Sequence, residues 1–529
     1  MKMDFMYKWR VGLLIAALVS VWEDMDGSVL AQEQAAPGAL PMPAPLGPAP
    51  TEQTPDRPAG SFLPAAAAAP ADAGKPLPIN LPTALKLGDA RAIDVQVASE
   101  KIRLAAAQLQ QARVLWVPTF LMGTDYYRHD GQIQDITGNV LNNSHASFTA
   151  GASPILIFTA TDALFAPLAQ RQVLRSQQAF QQAAQNDTML AVAEAYFQVQ
   201  QARGELAGVL DARTKTEDLV GRIAQLAEVL VPPSEKRRAE AASARLDQAV
   251  FQAQERWRLA SAELNRLLRL DPTTVVQPLE PPHLQVTLID TSADVDALIR
   301  MGLTNRPELR GHQALVQAAL RQLQKERLRP LMPSVLLRGA STGVFGTLGL
   351  GVFGGGTNSN LNNWGLREDY DLQVLWELQS FGLANRALVK QRQSDHQLAL
   401  LELFRTQDRI AAEVAQAHAQ VVMAAKRLQA AERETKAAFT LVEENREGFR
   451  QTRKVGEVPL LIVRAQEVLA AIQTLALAYN DYYGAVADFN RAQFRLYRAI
   501  GNASAAVGGL CSSPPLESPP VASPVSREP

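Results

Sequence analysis

The stretches VAEAYFQVQQARGEL at 192–206 and VAQAHAQVVMAAKRL at 414–428 are two versions of one sequence. Aligned without gaps, Val192 meets Val414, Ala193 meets Ala415 and Ala195 meets Ala417. Gln198 then meets Gln420, Val199 meets Val421, Ala202 meets Ala424 and Leu206 meets Leu428. The same offset carries Leu219-Val220 onto Leu441-Val442. An ungapped match over this distance predicts an internal duplication, which must be read before any local motif. The matched apolar positions step mostly by three and four, the spacing of one helix face.

Working outward, the order of elements repeats as well. Each half opens with a shorter helical segment, about 81–114 and about 295–329, followed by a strand-like run, a polar or glycine-rich loop and a second strand-like run. A very long helical segment, a break and another long helix complete each half. A Pro-rich linker at 271–282 joins the halves. No proline stands between Pro167 and Pro232, or between Pro333 and Pro459. The helical segment from about Thr161 to Leu230 is roughly 105 Å long if continuous at about 1.5 Å per residue, far beyond the helix of an ordinary globular domain. Leu219, Ile223, Leu226 and Leu230 form a seam. It resumes after the break at Ala239, Ala242, Leu246, Ala249, Ala253, Trp257, Ala260, Leu264 and Leu267. Such a repeat predicts a coiled coil, and its many alanine knobs allow close helix approach.

The strands carry the other half of the argument. In the run from Tyr370 to Leu378 every even position is apolar, with Tyr370 and Trp376 towards the two ends of that face. This period of two marks a strand with one apolar face. Phe148 to Phe158 alternates similarly at first, with Ser147, Thr149, Gly151 and Ser153 opposite. Trp116, Phe120, Met122 and Tyr126 share one face of another run, and the run from Val335 is the weakest of the four. Four strands cannot close a membrane barrel, since single-chain barrels start at about eight. An open edge in lipid would leave backbone groups unpaired. A barrel built from this chain must therefore draw strands from several copies.

Composition narrows the classes. A formal net charge of −1 over 529 residues gives no basic domain for nucleic-acid binding. Lys2, Lys8 and Arg10 precede a short apolar run, Val11 to Val21, and Val29-Leu30-Ala31 offers a small-residue cleavage site. This predicts a secretory signal over 1–31. Residues 32–80 read as a disordered Pro/Ala-rich leader and 503–529 as a disordered tail. The first structural repeat is expected over 81–290 and the second over 291–502. The single cysteine, Cys511, cannot form an internal disulfide.

Several motifs carry no chemistry. Gly349-Leu350-Gly351-Val352-Phe353-Gly354 has the form of a dinucleotide loop, but a further glycine-rich loop follows where a helix is needed. The segment Gly339 to Gly365 is expected to be a barrel loop. The six histidines lack H-x-x-x-H spacing, and His418 occupies the slot of Tyr196. Glu443-Glu444 and Arg367-Glu368-Asp369 read as solvated charge. No catalytic, cofactor or metal residues are expected, and the chain is not expected to be an enzyme.

From about Leu81 to Asn502 the chain resembles the TolC-like outer-membrane efflux family. The resemblance rests on Val455-Gly456-Glu457-Val458-Pro459-Leu460-Leu461-Ile462-Val463-Arg464-Ala465-Gln466, on Ala478-Tyr479-Asn480-Asp481-Tyr482-Tyr483 and on Ala499-Ile500-Gly501. Arg238-Ala239-Glu240-Ala241, Ala262 to Leu268 and Asn305-Arg306-Pro307-Glu308-Leu309 play corresponding parts. The first half, with Ala90-Arg91-Ala92-Ile93, lacks the last of these.

The resemblance implies a mainly α fold with a small β part: a long α-helical coiled-coil tunnel and four strands given to a trimeric, twelve-stranded transmembrane β-barrel. It implies a homotrimer in the outer membrane of a Gram-negative-type envelope, in contact with outer-membrane lipid. The duct would meet a periplasmic adaptor (membrane fusion) protein and an inner-membrane pump, in efflux or type I-like secretion. Adaptor contact is expected at the hairpin tips, Val231, Pro232, Pro233 and Ser234, and Lys454, Val455, Gly456, Glu457, Val458 and Pro459. The aspartate ring that closes some members is absent, and Arg464 is the candidate constriction. The competing reading is a soluble periplasmic coiled-coil adaptor or structural protein, for which four amphipathic strands have no use.

Overall fold

The computed structural model describes residues 62–68, 76–226, 232–339, 348–357, 360–455 and 458–501, with backbone only at 226 and 452–461. All of these fall in one unit, Gly60–Pro529. The secretory signal, the leader up to residue 61 and the tail 503–529 lie outside the described residues.

The first half contains β1 (Leu77–Ile79), α1 (Leu81–Arg91), α2 (Ile93–Arg113), β2 (Thr119–Gln134), β3 (Val140–Thr159), α3 (Ala160–Leu226), α4 (Pro233–Leu268) and β4 (Val276–Pro278). The second contains α5 (Val295–Asn305), α6 (Pro307–Leu328), β5 (Ser334–Arg338), β6 (Leu350–Thr357), β7 (Asn363–Glu368), β8 (Asp371–Leu375), α7 (Leu383–Arg450), β9 (Thr452–Val455), β10 (Val458–Leu461) and α8 (Ala465–Ala499). The duplicated plan of the sequence is therefore the plan of the fold. With 67 residues in α3 and 68 in α7, each helix runs about 100 Å at 1.5 Å per residue.

The two long helices are spines with different neighbours along their length. The early part of α3 meets α2 and α6, as in the Gln181–Ser99 bond of 2.8 Å and the Arg310–Gln182 bond of 2.9 Å. Its later part meets α4 and α8, through the Arg256–Glu205 and Arg213–Asp247 ion pairs and the rings of Tyr479 and Tyr483. The other spine, α7, packs on α5, α6 and α8. The result is a wall of helices with two open sides, one formed by α2 and α4 and the other by α7.

Burial follows the expected seam closely. Leu219, Ile223, Ala239, Ala242, Leu246, Ala253, Trp257, Ala260 and Leu264 are buried. Val250 and Leu268 are buried where Ala249 and Leu267 were expected, and those two are partly buried. The duplicated pairs Val192/Val414, Ala195/Ala417, Val199/Val421, Ala202/Ala424 and Leu206/Leu428 are buried in both copies. Further along, Leu219 pairs in burial with Val442 while Leu441 is exposed, so the copies have slipped by one residue.

Where α3 crosses α8 the approach is set by glycine. A Cβ on Gly204 would lie 2.5 Å from the Tyr483 ring, and one on Gly208 2.7 Å from Cβ of Tyr479. Both tyrosines are buried, so neither ring can swing away.

Two expectations are corrected. Part of the leader placed at 32–80 is ordered and packed. Ala67 and Ile79 are buried, β1 pairs in parallel with β4, and the carbonyl of Ala67 accepts from Arg203 Nε at 2.9 Å. The Phe62 carbonyl accepts from the Tyr479 hydroxyl at 3.1 Å. A Pro/Ala chain cannot build a core of its own, but it can lie along the wall and offer carbonyls to buried donors. Part of the expected Gly339–Gly365 loop is also strand, while residues 340–347 and 358–359 lie outside the described residues. Residues 350–357 form β6, with β3 on one side and β7 on the other. Gly351 sits at φ +144°, where an added Cβ would be 2.2 Å from the Ala150 carbonyl oxygen, so glycine is what lets this strand pair.

Gly204→Ala should lower the apparent melting temperature even though alanine is about 1 kcal/mol better in a helix. The clash with Tyr483 should cost about 1–3 kcal/mol as overpacking. Thermal melts followed by helical circular dichroism, with Gly221→Ala in the same open-faced helix as the reference, test this; Gly221 has nothing within 4 Å of an added Cβ.

Candidate functional site

The sheet is an antiparallel meander of four lines of strand. The line of β2 pairs with β3 over sixteen positions, from Thr119↔Ile155 to Gln134↔Val140. On its other side β3 pairs first with β5, Thr159↔Ser334 to Ile155↔Arg338, and then with β6, Ala152↔Leu350 to His145↔Thr357. In turn β5 pairs with β8 and β6 with β7. The outer edges, β2 and the β7/β8 line, have no further partner strand among the described residues.

The register sorts side chains onto two faces. Phe120, Met122 and Tyr126 on β2 share a face with Phe148, Ala150 and Ala152 on β3, and with Val352, Trp364, Leu366, Leu372 and Val374. Most of these large side chains are exposed, Met122 at 82% and Leu366 at 85%. Phe148 and Trp364 meet edge-on with ring centroids 5.9 Å apart. The other face carries Asp125, Ser147, Thr149, Gly151, Ser153, Arg338, Asp371 and Gln373, with Ser147, Thr149 and Ser153 buried, beside the apolar Leu121, Tyr127, Ile155 and Ile157. Exposed apolar on one face and shielded polar on the other is the reverse of a soluble sheet. Among the described residues no helix is long and apolar enough to cross a membrane.

At the far end of the wall the two helical hairpins close. In the first, Pro232 is the N-cap of α4 and Pro233 its first residue, where the missing N–H is no loss. Pro232, Pro233 and Ser234 are exposed, while Val231 lies outside the described residues. The second hairpin, where the sequence placed a break between two long helices, is more than an interruption of helix. Its backbone forms a β-ladder, β9 with β10, pairing Thr452↔Leu461, Lys454↔Pro459 and Val455↔Val458. Gly456 and Glu457 lie outside the described residues. Arg238 on α4 donates to Gln466 on α8 at 2.9 Å, which brings the two tips together.

Arg464 is exposed and is the N-cap of α8, with no side-chain cap hydrogen bond. A cation at a helix N-terminus opposes the helix dipole. Helix stability therefore gives no reason for an arginine at this position.

Between sheet and tip lies an ion cluster that sequence reading saw only in part. Asn305-Arg306-Pro307-Glu308 makes the turn from α5 into α6, with Arg306 as N-cap and Pro307 first in the helix. Arg306, 2% exposed, bridges Glu413 of α7 and lies 3.4 Å from Glu308. Arg498 of α8 reaches Glu413 at 2.9 Å, Glu308 at 3.1 Å and Asp187 of α3 at 2.5 Å. Four elements meet on five charges. Glu413, Arg498 and Asp187 carried no local signal, because each is one charged residue in a long polar helix.

Burial holds the carboxyls of Glu308 and Glu413 above their ordinary value of 4.5, and the like charge of Asp187 adds to the shift. Their contribution to stability is thus full below pH 4.5 and declines as pH rises through the raised values. Removing Arg306 should expose this. Arg306→Met should cost about 3–5 kcal/mol at neutral pH, as expected when one partner of a buried pair is lost. The deficit should shrink towards pH 5, where the abandoned carboxyls can take up protons. Apparent melting temperatures at equal scan rate check it; the same drop at both pH values would detach Arg306 from those carboxylates.

No protein-family model matches the sequence, and no curated protein sequence does. Solved structures do match. The Campylobacter jejuni CmeC outer membrane channel is 14% identical, with 82% of this chain and 89% of that chain covered at a TM-score of 0.64. The outer membrane protein VceC from Vibrio cholerae is 15% identical, with 80% and 96% covered at 0.62. The open state of the Neisseria gonorrhoeae MtrE outer membrane channel is 16% identical, with 80% and 89% covered at 0.63. With its duplicated helical wall, four-stranded meander and paired tips, this chain has the TolC-like outer-membrane channel fold.

Proposed function

We propose that three copies of this chain form an outer-membrane exit duct. The observation that carries the reading is the meander itself: an exposed apolar face, a shielded polar face and two strand edges without partners. In lipid those edges cost several kcal/mol per unpaired backbone group. Joining β2 of one copy to the β7/β8 line of the next removes every edge, and three copies give twelve lines of strand. The sixteen residues of β2 span about 50 Å at about 3.3 Å each, longer than the hydrocarbon core, so the β2–β3 hairpin projects beyond the lipid.

The helical wall has the same incompleteness. Leu398, Leu401 and Phe404 are exposed on the open side of α7, and Phe251 and Leu259 on α4, with Val97 and Leu104 on α2. Apolar rows on both open sides are what neighbouring copies would cover to close a tunnel. The hairpin tips would then form the end of that tunnel and dock on a periplasmic adaptor served by an inner-membrane pump. Pro232, Pro233, Ser234 and the β9–β10 hairpin are the contact surface in this reading, and three Arg464 side chains line the constriction. Cargo passes without chemical change.

Leu401→Glu tests the assembly. As a lone surface change it should move stability by about 0.5 kcal/mol or less, since Leu401 is 52% exposed in the single chain. In the trimer it would bury three unpaired charges, so size-exclusion chromatography with light scattering in detergent should show loss of the trimer. A variant that assembles normally, or a wild type that stays monodisperse without detergent, removes the duct reading and restores the soluble coiled-coil one.

Arg464→Asp tests the constriction. An aspartate N-cap should stabilise α8 by about 0.5–2 kcal/mol. Planar-bilayer recordings should shift towards cation preference as three positive charges become negative. Unchanged ion selectivity would remove Arg464 from the pore lining.

A further inference from the structure

Within the β2–β3 hairpin, His129 and His145 stand directly opposite each other in the ladder. Directly opposed residues have Cβ atoms about 4.5–5.5 Å apart and point to the same face. The two imidazole rings have centroids 5.7 Å apart and are tilted by 38°. Nε2 of His129 and Nδ1 of His145 are buried and take no hydrogen bond. A buried polar nitrogen without a partner costs about 1–3 kcal/mol, and here two belong to neighbouring rings on one face. The face is the shielded polar one that carries Ser147 and Thr149. The neighbouring charges do not supply the missing bonds. Arg128 and Asp130 lie on the opposite face and pair with each other at 2.5 Å, and Ser144 also donates to Asp130.

We propose that His129 and His145 form a two-histidine clamp for a borderline divalent transition-metal ion on the inner face of this hairpin, with water completing the coordination. Imidazole suits copper, nickel and zinc, and affinity among these peaks at Cu2+. Two imidazoles on one tetrahedral ion, with metal–nitrogen bonds of about 2.1 Å, place their ring centroids about 5 Å apart. The observed centroid separation of 5.7 Å is close to this, and rotation of the rings would bring the nitrogens onto one ion. Binding would give both orphaned nitrogens a partner at once. Both ligands come from one hairpin of one chain, so each chain holds its own ion. Assignment of the face to the pore rests on the duct reading; the clamp does not.

The test is titration of the full-length, detergent-solubilised protein, carrying an affinity tag without histidine, with Cu2+ alone. Calorimetry gives the stoichiometry and electron paramagnetic resonance the number of coordinating nitrogens. Wild type should take up one ion per chain with two equatorial nitrogens. His129→Asn and His145→Asn should each weaken uptake more than about tenfold, the loss that even an outer-shell partner can cost a metal site. His418→Asn, on α7, should change nothing, and circular dichroism confirms that each variant is folded. Uptake of equal strength in either hairpin variant, a single-nitrogen signal, or no uptake by wild type overturns the clamp. Because the pair is complete in one chain, copper uptake by a protein that fails to form trimers would sink the duct and leave the clamp standing.

Discussion

The backbone at the two edges of the sheet is the constraint on which the rest depends. Each interior line of the meander has a partner strand on both sides, whereas β2 and the β7/β8 line each keep one side without a partner strand among the described residues. In water such edges would be tolerable. In the proposed duct they are not, because there the face carrying Met122, Trp364, Leu366 and Leu372 lies in lipid, where no water can take the place of a partner strand. The arrangement that satisfies both is closure with further copies. The helices inherit it: spines joined to such strands must stand side by side around the same axis, and their open sides must match.

The duplication explains how one chain builds a wall that is nearly repetitive. Val192/Val414 to Leu206/Leu428 are buried equivalently, so one pattern of small and branched apolar residues serves both spines. The copies diverge where their surroundings do. Tyr196 donates its hydroxyl to the Ile79 carbonyl and to Glu280, and burial beside that carboxylate pushes its pKa well above the usual tyrosine value. Its counterpart His418 sits on α7, with its Nε2 buried and unpartnered. The first spine carries the extended segments at 62–68 and 276–281, which Arg203, Gln200 and Trp257 hold by their carbonyls. Linker residues Val286, Leu288 and Ile289 donate instead to Asn490 and Gln493 of α8, tying the halves together.

Charge has a similarly local logic. At the level where α5 and α8 end and α6 begins, an ion cluster sits beside the buried apolar residues Leu309, Ile410, Val414 and Leu496. The Arg306–Glu308–Glu413–Arg498–Asp187 cluster fixes that junction geometrically, and its cost is the desolvation that lifts Glu308 and Glu413 above ordinary carboxylates.

The sequence by itself determined the duplication, the two long spines, the alanine-rich seam and a strand within the alternating run 370–378, of which Asp371–Leu375 is strand. Each is a periodic signal over many residues, and period translates directly into which face is buried. It also located the tips, since Pro232, Pro233 and Pro459 interrupt otherwise unbroken helix. Tertiary structure alone decided the rest. Residues 350–357 pair as a strand because Gly351 and Gly354 leave room for the Ala150 carbonyl of β3 and the Trp364 ring of β7. Residues 62–68 are held although their composition reads as unstructured, because the donors that hold them lie far away in the chain. The five-charge junction joins residues distant in sequence, and the His129–His145 pair depends on the register of the β2–β3 ladder, which no local pattern encodes.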